Sequence, residues 1–595
     1  MPLSCQIVVG DVHQDSATVA FVCNGAPVEV AAGEGASLLS VLREQLGLTS
    51  VKDGCAPQGQ CGCCTVLIDG DARVACVTPV ARVEGRTVTT VEGLDAATQD
   101  AFAAAFVATG GSQCGFCTPG IVMRAAALLA KAGDRPVGRA EIDRAMAAHL
   151  CRCTGWRSVE EAVVAAAGSP ADPRFQSSAA GRVTSAGAER AALEGGSPQH
   201  VGPEIPLGAG GFADDSAPRS ALVAVPLPPG STAPSVAAAG LEWVLGPSLA
   251  EARATAGKVQ GRRTTRVELP PLPLPIPGGS GVRLSTGWVE PAYLEPDASW
   301  CVPGGDPATP LGNGGAFGGK VTSPAPAAAR ELADRTGQTV RVVFAREDVV
   351  RLGPKRPPIS ATAAYADGIL RLGGSVVGIV PASALLLPYR LGEIVEEWQA
   401  VDVVGPPVSG ALRAFPLAER TVLAEGALTE AGGDRASRVD DERVAAVLLD
   451  TCARDAAGAV AGARVVLDAT TGVLERVEIR VAGGDPLDDV VLRSYCMGAA
   501  HMALGWVLSE GLAVDPETGE VHDLTIRSFG VIRAKDTPVL DVEVVDDEGP
   551  ALPRASDAVF AAVAAAAWNA VAAAEGTRPE SFPARETRAS RRLRR

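Results

Sequence analysis

The chain contains 595 residues, of which 47% are hydrophobic and 21% are charged, so packed cores can form along most of it and wholesale disorder is excluded. At about 150 residues per domain, this length predicts three to five domains. The formal net charge of −16 opposes binding to the phosphate backbone of a nucleic acid, and we expect no nucleic-acid partner.

The first 85 residues predict a small β-rich unit. Two apolar runs flank Asn24-Gly25, a dipeptide typical of a hairpin turn, and a second hairpin is predicted around Asp69-Gly70. Between them, the apolar spacing of residues 37–46 predicts a short helix.

Residues 95–168 change to helical periodicity. Thr118-Pro119 predicts a helix start directly after Cys117, with the threonine as N-cap and the proline at the first helical position. Residues 140–150 predict a second helix. Residues 158–161 (SVEE) have the pattern of a capping box and predict the start of another.

The rest of the chain begins with a connector. Residues 168–215 are rich in Gly, Ala, Ser and Pro and predict a linker. The pattern that follows is mixed α/β. Its predicted elements are helices near 326–336 and 487–511 and strands at 339–345, 523–532 and 539–545.

The chain ends on an alanine-rich segment. Residues 558–574 are its most apolar run, which Asn569 interrupts and which Asp557 and Glu575 bracket. These polar residues predict a buried helix of a soluble protein rather than a membrane span. The N-terminus carries neither the regions of a signal peptide nor a twin arginine, so we expect a cytoplasmic protein without a membrane partner.

Eleven of the 14 cysteines precede residue 154. A disulfide framework does not explain such crowding in a large cytoplasmic protein, so the pattern favours metal ligation. In a first set, three cysteines lie in one glycine-rich loop and the fourth follows after eleven intervening residues: Cys55, Cys61, Cys64 and Cys76. Four thiolates in this arrangement suit a plant-ferredoxin-type [2Fe–2S] cluster, with a structural zinc site as the alternative and Cys63 as a bystander.

A second set consists of two cysteine pairs at predicted helix ends: Cys114, Cys117, Cys151 and Cys153. Two helix-end loops can converge on one metal site. Zinc again suits these four residues alone. Two four-cysteine sets in one short stretch favour electron transfer, because a chain of closely spaced clusters has an obvious use.

Three segments then resemble the xanthine dehydrogenase/aldehyde oxidoreductase (molybdenum hydroxylase) family: residues 54–66 (GCAPQGQCGCCTV), 113–120 (QCGFCTPG) and 150–156 (LCRCTGW). One departure is the five residues between Cys55 and Cys61, where the family usually has four. The resemblance implies two [2Fe–2S] clusters on the eight cysteines, and contact between Gln113 and a pterin cofactor.

The C-terminal part resembles the molybdenum-cofactor region of the same family. Residues 312–320 (GNGGAFGGK) resemble the loop that borders the molybdenum and its pterin, and residues 288–296 and 340–348 also resemble the family. Such a loop lets main-chain N–H groups approach an oxo or phosphate group, although an ordinary turn has the same composition. The implied cofactor contacts are Gly314, Gly315, Phe317, Gly318 and Gly319.

Two catalytic residues are implied by this resemblance. Residues 409–415 (SGALRAF) resemble a stretch that places an arginine near the substrate, so Arg413 would stabilise a developing oxyanion. Ala414 stands there in place of a glycine, and Glu419 in place of a glutamine. The family also needs a glutamate base near the C-terminus, for which Glu548 is the candidate. The alternatives are a surface salt bridge for Arg413 and a solvated acidic turn for Glu548.

The predicted fold class is α+β with several domains. They are a β-grasp plant-type ferredoxin domain (1–90), a four-helix [2Fe–2S]-binding domain (91–168), a linker (169–215), a shortened hammerhead-like connector (216–282) and a mixed α/β molybdopterin-binding region (283–595). No segment resembles a flavin domain, and the molybdenum region is shorter than is usual in the family.

The resemblance implies a molybdenum-dependent hydroxylase or dehydrogenase that oxidises an aldehyde or a purine-like N-heterocycle with oxygen from water. Electrons would pass through the Cys114 set and then the Cys55 set to an external acceptor or a flavin subunit. A homodimer is a further expectation from the family. The alternatives are an iron–sulfur electron-transfer module with an inactive molybdopterin region, and a zinc-stabilised scaffold.

Overall fold

The structure is a computed structural model. It describes residues 17–33, 36–55, 57–168, 184–196, 199–258, 269, 271–275, 281–309, 319–378, 380, 386–409, 412, 414–432, 435–439, 441–522 and 524–594.

Two hairpins with left-handed turn residues build the first sheet. Asn24 and Gly25 have φ of 50° and 82°, and Asp69 and Gly70 have φ of 51° and 82°, which confirms both predicted turns. The helix between them starts at the cap Ser37, whose side chain accepts a hydrogen bond from the Ser40 amide. It comprises α1 (Leu38–Ser40) and a π-helical turn (Val41–Gln45). The strands, in the order β2-β1-β5-β3-β4, are β1 (Ala17–Cys23), β2 (Ala26–Ala32), β3 (Thr65–Ile68), β4 (Asp71–Val74) and β5 (Thr87–Thr89).

Four helices follow, as predicted: α2 (Ala96–Thr109), α3 (Thr118–Ala132), α4 (Arg139–Ala145) and α5 (Arg157–Ala166). Helix α3 begins one residue earlier than expected, with Cys117 as its N-cap. The predicted capping box is wrong, because α5 already begins at Arg157 and the Ser158 hydroxyl donates to the Thr154 carbonyl instead. The buried Trp156, at φ 68°, takes the N-cap position.

The segment predicted as a linker contains helix α6 (Thr184–Gly195) and a short helix, α7 (Ala213–Ser216). Ala191 of α6 packs against Val491 and Tyr495, so this helix buries one face against the C-terminal region. The sequence did not predict this helix, because an alanine-rich stretch has few large apolar side chains whose spacing would show a helical period.

The second sheet is covered by α8 (Leu249–Thr255) and α9 (Ala325–Thr336). Its order is β10-β11-β6-β8-β7, and its strands are β6 (Leu222–Pro226), β7 (Val236–Ala238), β8 (Leu241–Gly246), β10 (Ala298–Cys301) and β11 (Val340–Val343).

Two further sheets build the C-terminal region. The third has the order β14-β13-β12-β9-β19, with β9 (Val282–Thr286), β12 (Ile359–Ala366), β13 (Ile369–Val377), β14 (Glu393–Val401) and β19 (Ser581–Phe582). The fourth runs in sequence order, with β15 (Thr451–Arg454), β16 (Val460–Leu467), β17 (Leu474–Ala482) and β18 (Val539–Val544). The remaining helices are α10 (Arg346–Leu352), α11 (Phe415–Ala431), α12 (Glu442–Val447), α13 (Asp489–Leu508), α14 (Ile526–Phe529), α15 (Ala555–Glu575) and α16 (Arg588–Leu593).

The strand predicted at 523–532 is wrong, because α14 lies there. The Thr525 hydroxyl accepts a hydrogen bond from the Ser528 amide, and Ile526 and Phe529, three positions apart, are both buried. The cap and the burial of residues three positions apart are typical of a helical turn, whereas a strand would bury alternate residues.

The alanine-rich helix α15 lies in the core between α11, α13 and the fourth sheet. Among the described residues it is the only helix long and apolar enough to cross a membrane, and 72% of its most apolar stretch is buried inside the protein. Trp506 of α13 stacks on Phe560 of α15 at 5.8 Å between ring centroids. One continuous cluster of buried residues joins this core to the helical bundle and the first sheet. The predicted α+β class is confirmed.

Candidate iron–sulfur and cofactor sites

The first cysteine set has three members in the loop between α1 and β3 and one in the turn just after β4. Its four thiols are buried, with at most 6% of each residue exposed: Cys55, Cys61, Cys64 and Cys76. The amides of Gln58 and Gln60 donate to Cys55 Sγ at 3.2 and 3.5 Å. Hydrogen bonds from the thiols of Cys61 and Cys76 lower the pKa of Cys55 well below its usual 9.0. Buried sulfurs that meet one another and receive N–H donors fit a [2Fe–2S] cluster.

The second set lies in two connections, one between α2 and α3 and the other between α4 and α5. Cys114 and Cys153 are 3.7 Å apart between their sulfurs, and Cys117 and Cys151 form the other interacting pair. The four residues are all buried. A two-iron cluster takes two thiolates on each iron, so thiols that meet in pairs fit such a group. Among the described residues, no three His, Cys, Asp or Glu side chains converge on a single ion position.

The two sets lie against each other. The Leu150 amide donates to the Cys61 carbonyl at 3.0 Å, which ties the second loop to the first. The ring of His149 packs on Gly62, where a β-carbon would lie 2.5 Å from it, so this position with φ 75° requires glycine. The Cys63 thiol is buried beside Cys61 and within electrostatic reach of Cys114. It therefore lies between the two sets, and its predicted status as a non-ligand stays a prediction.

Helix α13 packs directly on the second loop. A β-carbon on Gly498 would lie 1.8 Å from the Cys153 carbonyl oxygen, so the two backbones are in contact. The Gln113 side-chain amide donates to that carbonyl at 2.7 Å and to the Ser494 hydroxyl oxygen at 3.0 Å. Because both N–H groups of this amide are donated within the protein, Oε1 is the Gln113 atom left for a pterin.

Arg152 joins the same loop to the C-terminal region at a second point. Its guanidinium forms a two-pronged ion pair with Glu510, and both side chains are 2% exposed. Its Nε donates to the Pro291 carbonyl at 2.8 Å. Sequence reasoning missed this pair. The charged residue between two candidate ligand cysteines was the available signal, but the sequence holds no sign of its partner.

The predicted molybdenum loop falls mostly outside the described residues, as do Gly314, Gly315, Phe317, Gly318 and Arg413. Its last two residues are described: Gly319 is followed by the buried Lys320, whose Nζ lies 2.9 Å from Glu295 Oε2. Burial raises the pKa of Glu295 to about 7, although the charge of Lys320 opposes this shift. Burial and the neighbouring Asp297 carboxylate, which faces the phenol, raise the pKa of Tyr293. One lysine, one phenol and two carboxyl groups are thus buried together, and their hydrogen-bonding groups fit a site that takes a polar ligand such as a pterin cofactor.

The structure places Glu548 on the surface, in the loop between β18 and α15. Its neighbour Asp547 turns inward, pairing with Arg443 at 3.0 Å and accepting from the Gly484 amide. The side chain of Glu548 is thereby directed to solvent, which matches the solvated acidic turn rather than a buried base.

The N-terminus of α15 is occupied by a carboxylate that the sequence did not reveal. Glu194 of α6 accepts hydrogen bonds from the amides of Ala555 and Ser556 at 3.1 and 3.0 Å. It is fully buried and ion-paired with Arg190. The predicted linker thus supplies the cap of the longest helix in the described part of the core.

Known proteins match this arrangement. Residues 90–164 match the family described as a [2Fe-2S] binding domain. Over 153 residues the chain is 41% identical to the xanthine dehydrogenase iron-sulfur-binding subunit of Escherichia coli O157:H7, which covers 26% of this chain and 95% of that protein. Over 150 residues it is 43% identical to the isoquinoline 1-oxidoreductase subunit alpha of Brevundimonas diminuta, covering 25% of this chain and 97% of that relative.

The fold of the whole chain also has a solved counterpart. The aldehyde oxidoreductase from Desulfovibrio gigas superposes with a TM-score of 0.74 and 17% identity, over 97% of this chain and 100% of that one. This likeness concerns the fold, and the relatives above carry the family assignment. The chain therefore belongs to the xanthine dehydrogenase/aldehyde oxidoreductase family of molybdenum-containing oxidoreductases, whose cofactors are [2Fe–2S] clusters and Mo-molybdopterin.

Proposed function

We propose that the chain is a hydroxylase that oxidises an aldehyde or an N-heterocycle with oxygen from water and passes the electrons through its two clusters to an external acceptor. The observation that carries this proposal is the direct packing of the second cysteine loop on α13, through Gly498 and Cys153. An electron-transfer centre is useful to a catalytic region only when the two are in close contact.

In this proposal, the eight cysteines of the two sets bind the two clusters. One cluster would be bound by the first set, Cys55, Cys61, Cys64 and Cys76, and the other by the second set, Cys114, Cys117, Cys151 and Cys153. A molybdenum cofactor supplies, when bound, two-electron oxidation of a carbon–hydrogen bond with oxygen from water. The part of this chain is to bind these groups, keep water from the thiolates and fix the distance between the centres.

The C-terminal region would hold the pterin with Gln113 and the glycine-rich loop. Gln113 Oε1 is the remaining polar atom of that side chain, and Lys320 and Glu295 form a buried ion pair. Gly314, Gly315, Phe317, Gly318 and Gly319 complete the proposed contacts. We retain Arg413 as the proposed oxyanion stabiliser, whereas the exposed Glu548 gives no support to a role as base.

The substrate class follows from the relatives. Their printed names point to xanthine, isoquinoline and aldehydes, which are N-heterocycles and carbonyl compounds. Electron exit would take place on the side of the first cluster. A cavity of about 580 Å³ opens there and is lined by Asp53 and Pro57, which flank Cys55. A small redox carrier or the flavin of another subunit would dock at this side.

Reduction of the clusters by substrate tests the proposal. Anaerobic protein would be mixed with benzaldehyde, hypoxanthine, nicotinate and isoquinoline in turn, while the visible absorption of the clusters is recorded. We expect one class to bleach both clusters and the product to carry oxygen-18 from labelled water. Bleaching by dithionite but by none of the four compounds would contradict the proposed substrate classes.

The surface position of Glu548 favours a second candidate function, an electron-transfer module with an inactive molybdopterin region. The two candidates differ in their metal content. Bound molybdenum and pterin support the hydroxylase, whereas full iron without either supports the module. The cytoplasmic location and the homodimer stay predictions.

A further inference from the structure

Arg152 is placed between two proposed cluster ligands and is nearly fully buried. It follows Cys151 and precedes Cys153, and its side chain is 2% exposed. All of its described polar contacts go to the C-terminal region, namely to Glu510 and to the Pro291 carbonyl. Its guanidinium also faces the Phe529 ring, 5.8 Å from the centroid. The loop of the second cysteine set thereby carries a buried cation.

Glu510 is equally enclosed. It follows the end of α13 and is 1% exposed. The turn of α13 beside it is shaped for its carboxylate, since a β-carbon on Gly505 would lie 2.2 Å from Glu510 Oε1. The pair forms two parallel hydrogen bonds, the geometry in which Arg and a carboxylate bind most specifically.

Within the proposed function, we propose that Glu510 is a positioning residue for the cluster on Cys114, Cys117, Cys151 and Cys153. By neutralising Arg152 it sets the reduction potential of that cluster, and by holding Arg152 it fixes the loop against α13. The C-terminal region thereby tunes the centre that is in contact with it.

The direction of the effect follows from charge. Reduction of a cluster adds one negative charge, which a nearby cation stabilises and a nearby anion destabilises. With Glu510 in place, the two side chains cancel each other. Without the charge of Glu510, Arg152, whose chain neighbours are Cys151 and Cys153, is an uncompensated cation in a buried environment, where electrostatic interactions are weakly screened.

The test is a redox titration of the holoprotein carrying Glu510→Gln, followed by EPR. We expect the cluster of the second set to become easier to reduce by about tenfold, which is about 59 mV for one electron. The cluster on Cys55, Cys61, Cys64 and Cys76 serves as the internal reference, and its potential should stay unchanged. Equal shifts of both clusters, or no shift of either, would overturn the proposal.

A matched variant separates charge from packing. Glu419→Gln breaks another buried two-pronged pair, with Arg356, that contacts no cluster ligand among the described residues. It should lower stability while leaving both potentials unchanged. A shift of the second cluster in Glu419→Gln as large as in Glu510→Gln would overturn the proposal.

A double variant covers the case in which Glu510→Gln does not fold. Arg152→Gln with Glu510→Gln removes both charges and keeps side chains of similar length that can hydrogen-bond to each other. The potential of the second cluster should then return close to that of the natural protein. If the double variant is displaced by tenfold or more, packing rather than charge sets the potential, and the proposal is wrong. Because the potentials are measured with dithionite, absence of substrate turnover would count against the proposed function and not against this inference.

Discussion

The carbonyl oxygen of Cys153 occupies the space that a side chain at Gly498 would fill, 1.8 Å from the β-carbon position. Gly498→Ala therefore forces either α13 or the cysteine loop to move. We expect this variant to lose the second cluster, or to hold it at a changed potential, while the first cluster is retained. Iron content and EPR of the purified variant check this.

The control for this prediction is Gly138→Ala. Gly138 lies at the start of α4 in the same helical domain, with φ −93° and nothing within 4 Å of a β-carbon. Both clusters should persist in it. Loss of the second cluster in both variants would show that the helical domain tolerates no added methyl group, and the contact with α13 would not explain the effect.

Replacement of a single cysteine by serine should remove one cluster if that cysteine is a ligand and neither cluster if it is not. Cys117→Ser should remove only the second cluster, and Cys64→Ser only the first, so each loses about half of the iron. Cys63→Ser should keep both, since this thiol is predicted not to be a ligand. Iron analysis and EPR of the three variants test the assignment. Loss of a cluster in Cys63→Ser would make this thiol a ligand.

Removal of a buried charge at position 419 should be costly. Arg356 and Glu419 are both at most 3% exposed and form a two-pronged pair. Glu419→Gln restores the residue usual in the family but leaves Arg356 uncompensated. The expected loss is about 3–5 kcal/mol of unfolding free energy, measured by denaturant titration. Asp541→Asn breaks the half-exposed pair with Arg476 and should change stability little. Equal effects of both variants would contradict this assignment.

His501 should make the protein sensitive to acid. Burial, with a smaller contribution from the charge of Arg152, lowers the pKa of His501 to about 3. The unfolded chain takes up a proton near pH 6.5 that the folded chain does not take up until about pH 3. Stability is therefore lost as the pH falls through this window, by up to about 1.4 kcal/mol per pH unit.

The measurement is the thermal midpoint of the natural protein and of His501→Gln between pH 6.5 and pH 4.5. The variant keeps a donor for the Ile532 carbonyl and should show a shallower loss with acidification. His522→Gln, at an exposed position, should follow the natural protein. Parallel curves for all three proteins would contradict the role of His501.

Local sequence patterns made the N-terminal, cysteine-rich part of the chain predictable. Asn24-Gly25 and Asp69-Gly70 suffice for their turns, because few other residues adopt φ near 50° and then near 80°. The spacing of the cysteines also predicts which thiols meet, since the loops that carry them are short. The capping box predicted at Ser158 was wrong, because α5 begins after the buried Trp156 and no hydroxyl caps it.

Contacts between residues far apart in the chain could not be predicted from local sequence patterns. Arg152 and Glu510 are 358 positions apart, and Glu194 caps a helix that starts 361 positions later. Glu548 was selected because it is acidic and close to the C-terminus. The structure shows that its neighbour Asp547 takes the buried contacts, which no local pattern distinguishes.

Metal analysis with a visible spectrum of anaerobically purified protein tests the central claim most directly. The account predicts about four irons and about one molybdenum per chain, with the absorption of [2Fe–2S] clusters. A colourless protein without iron would contradict it.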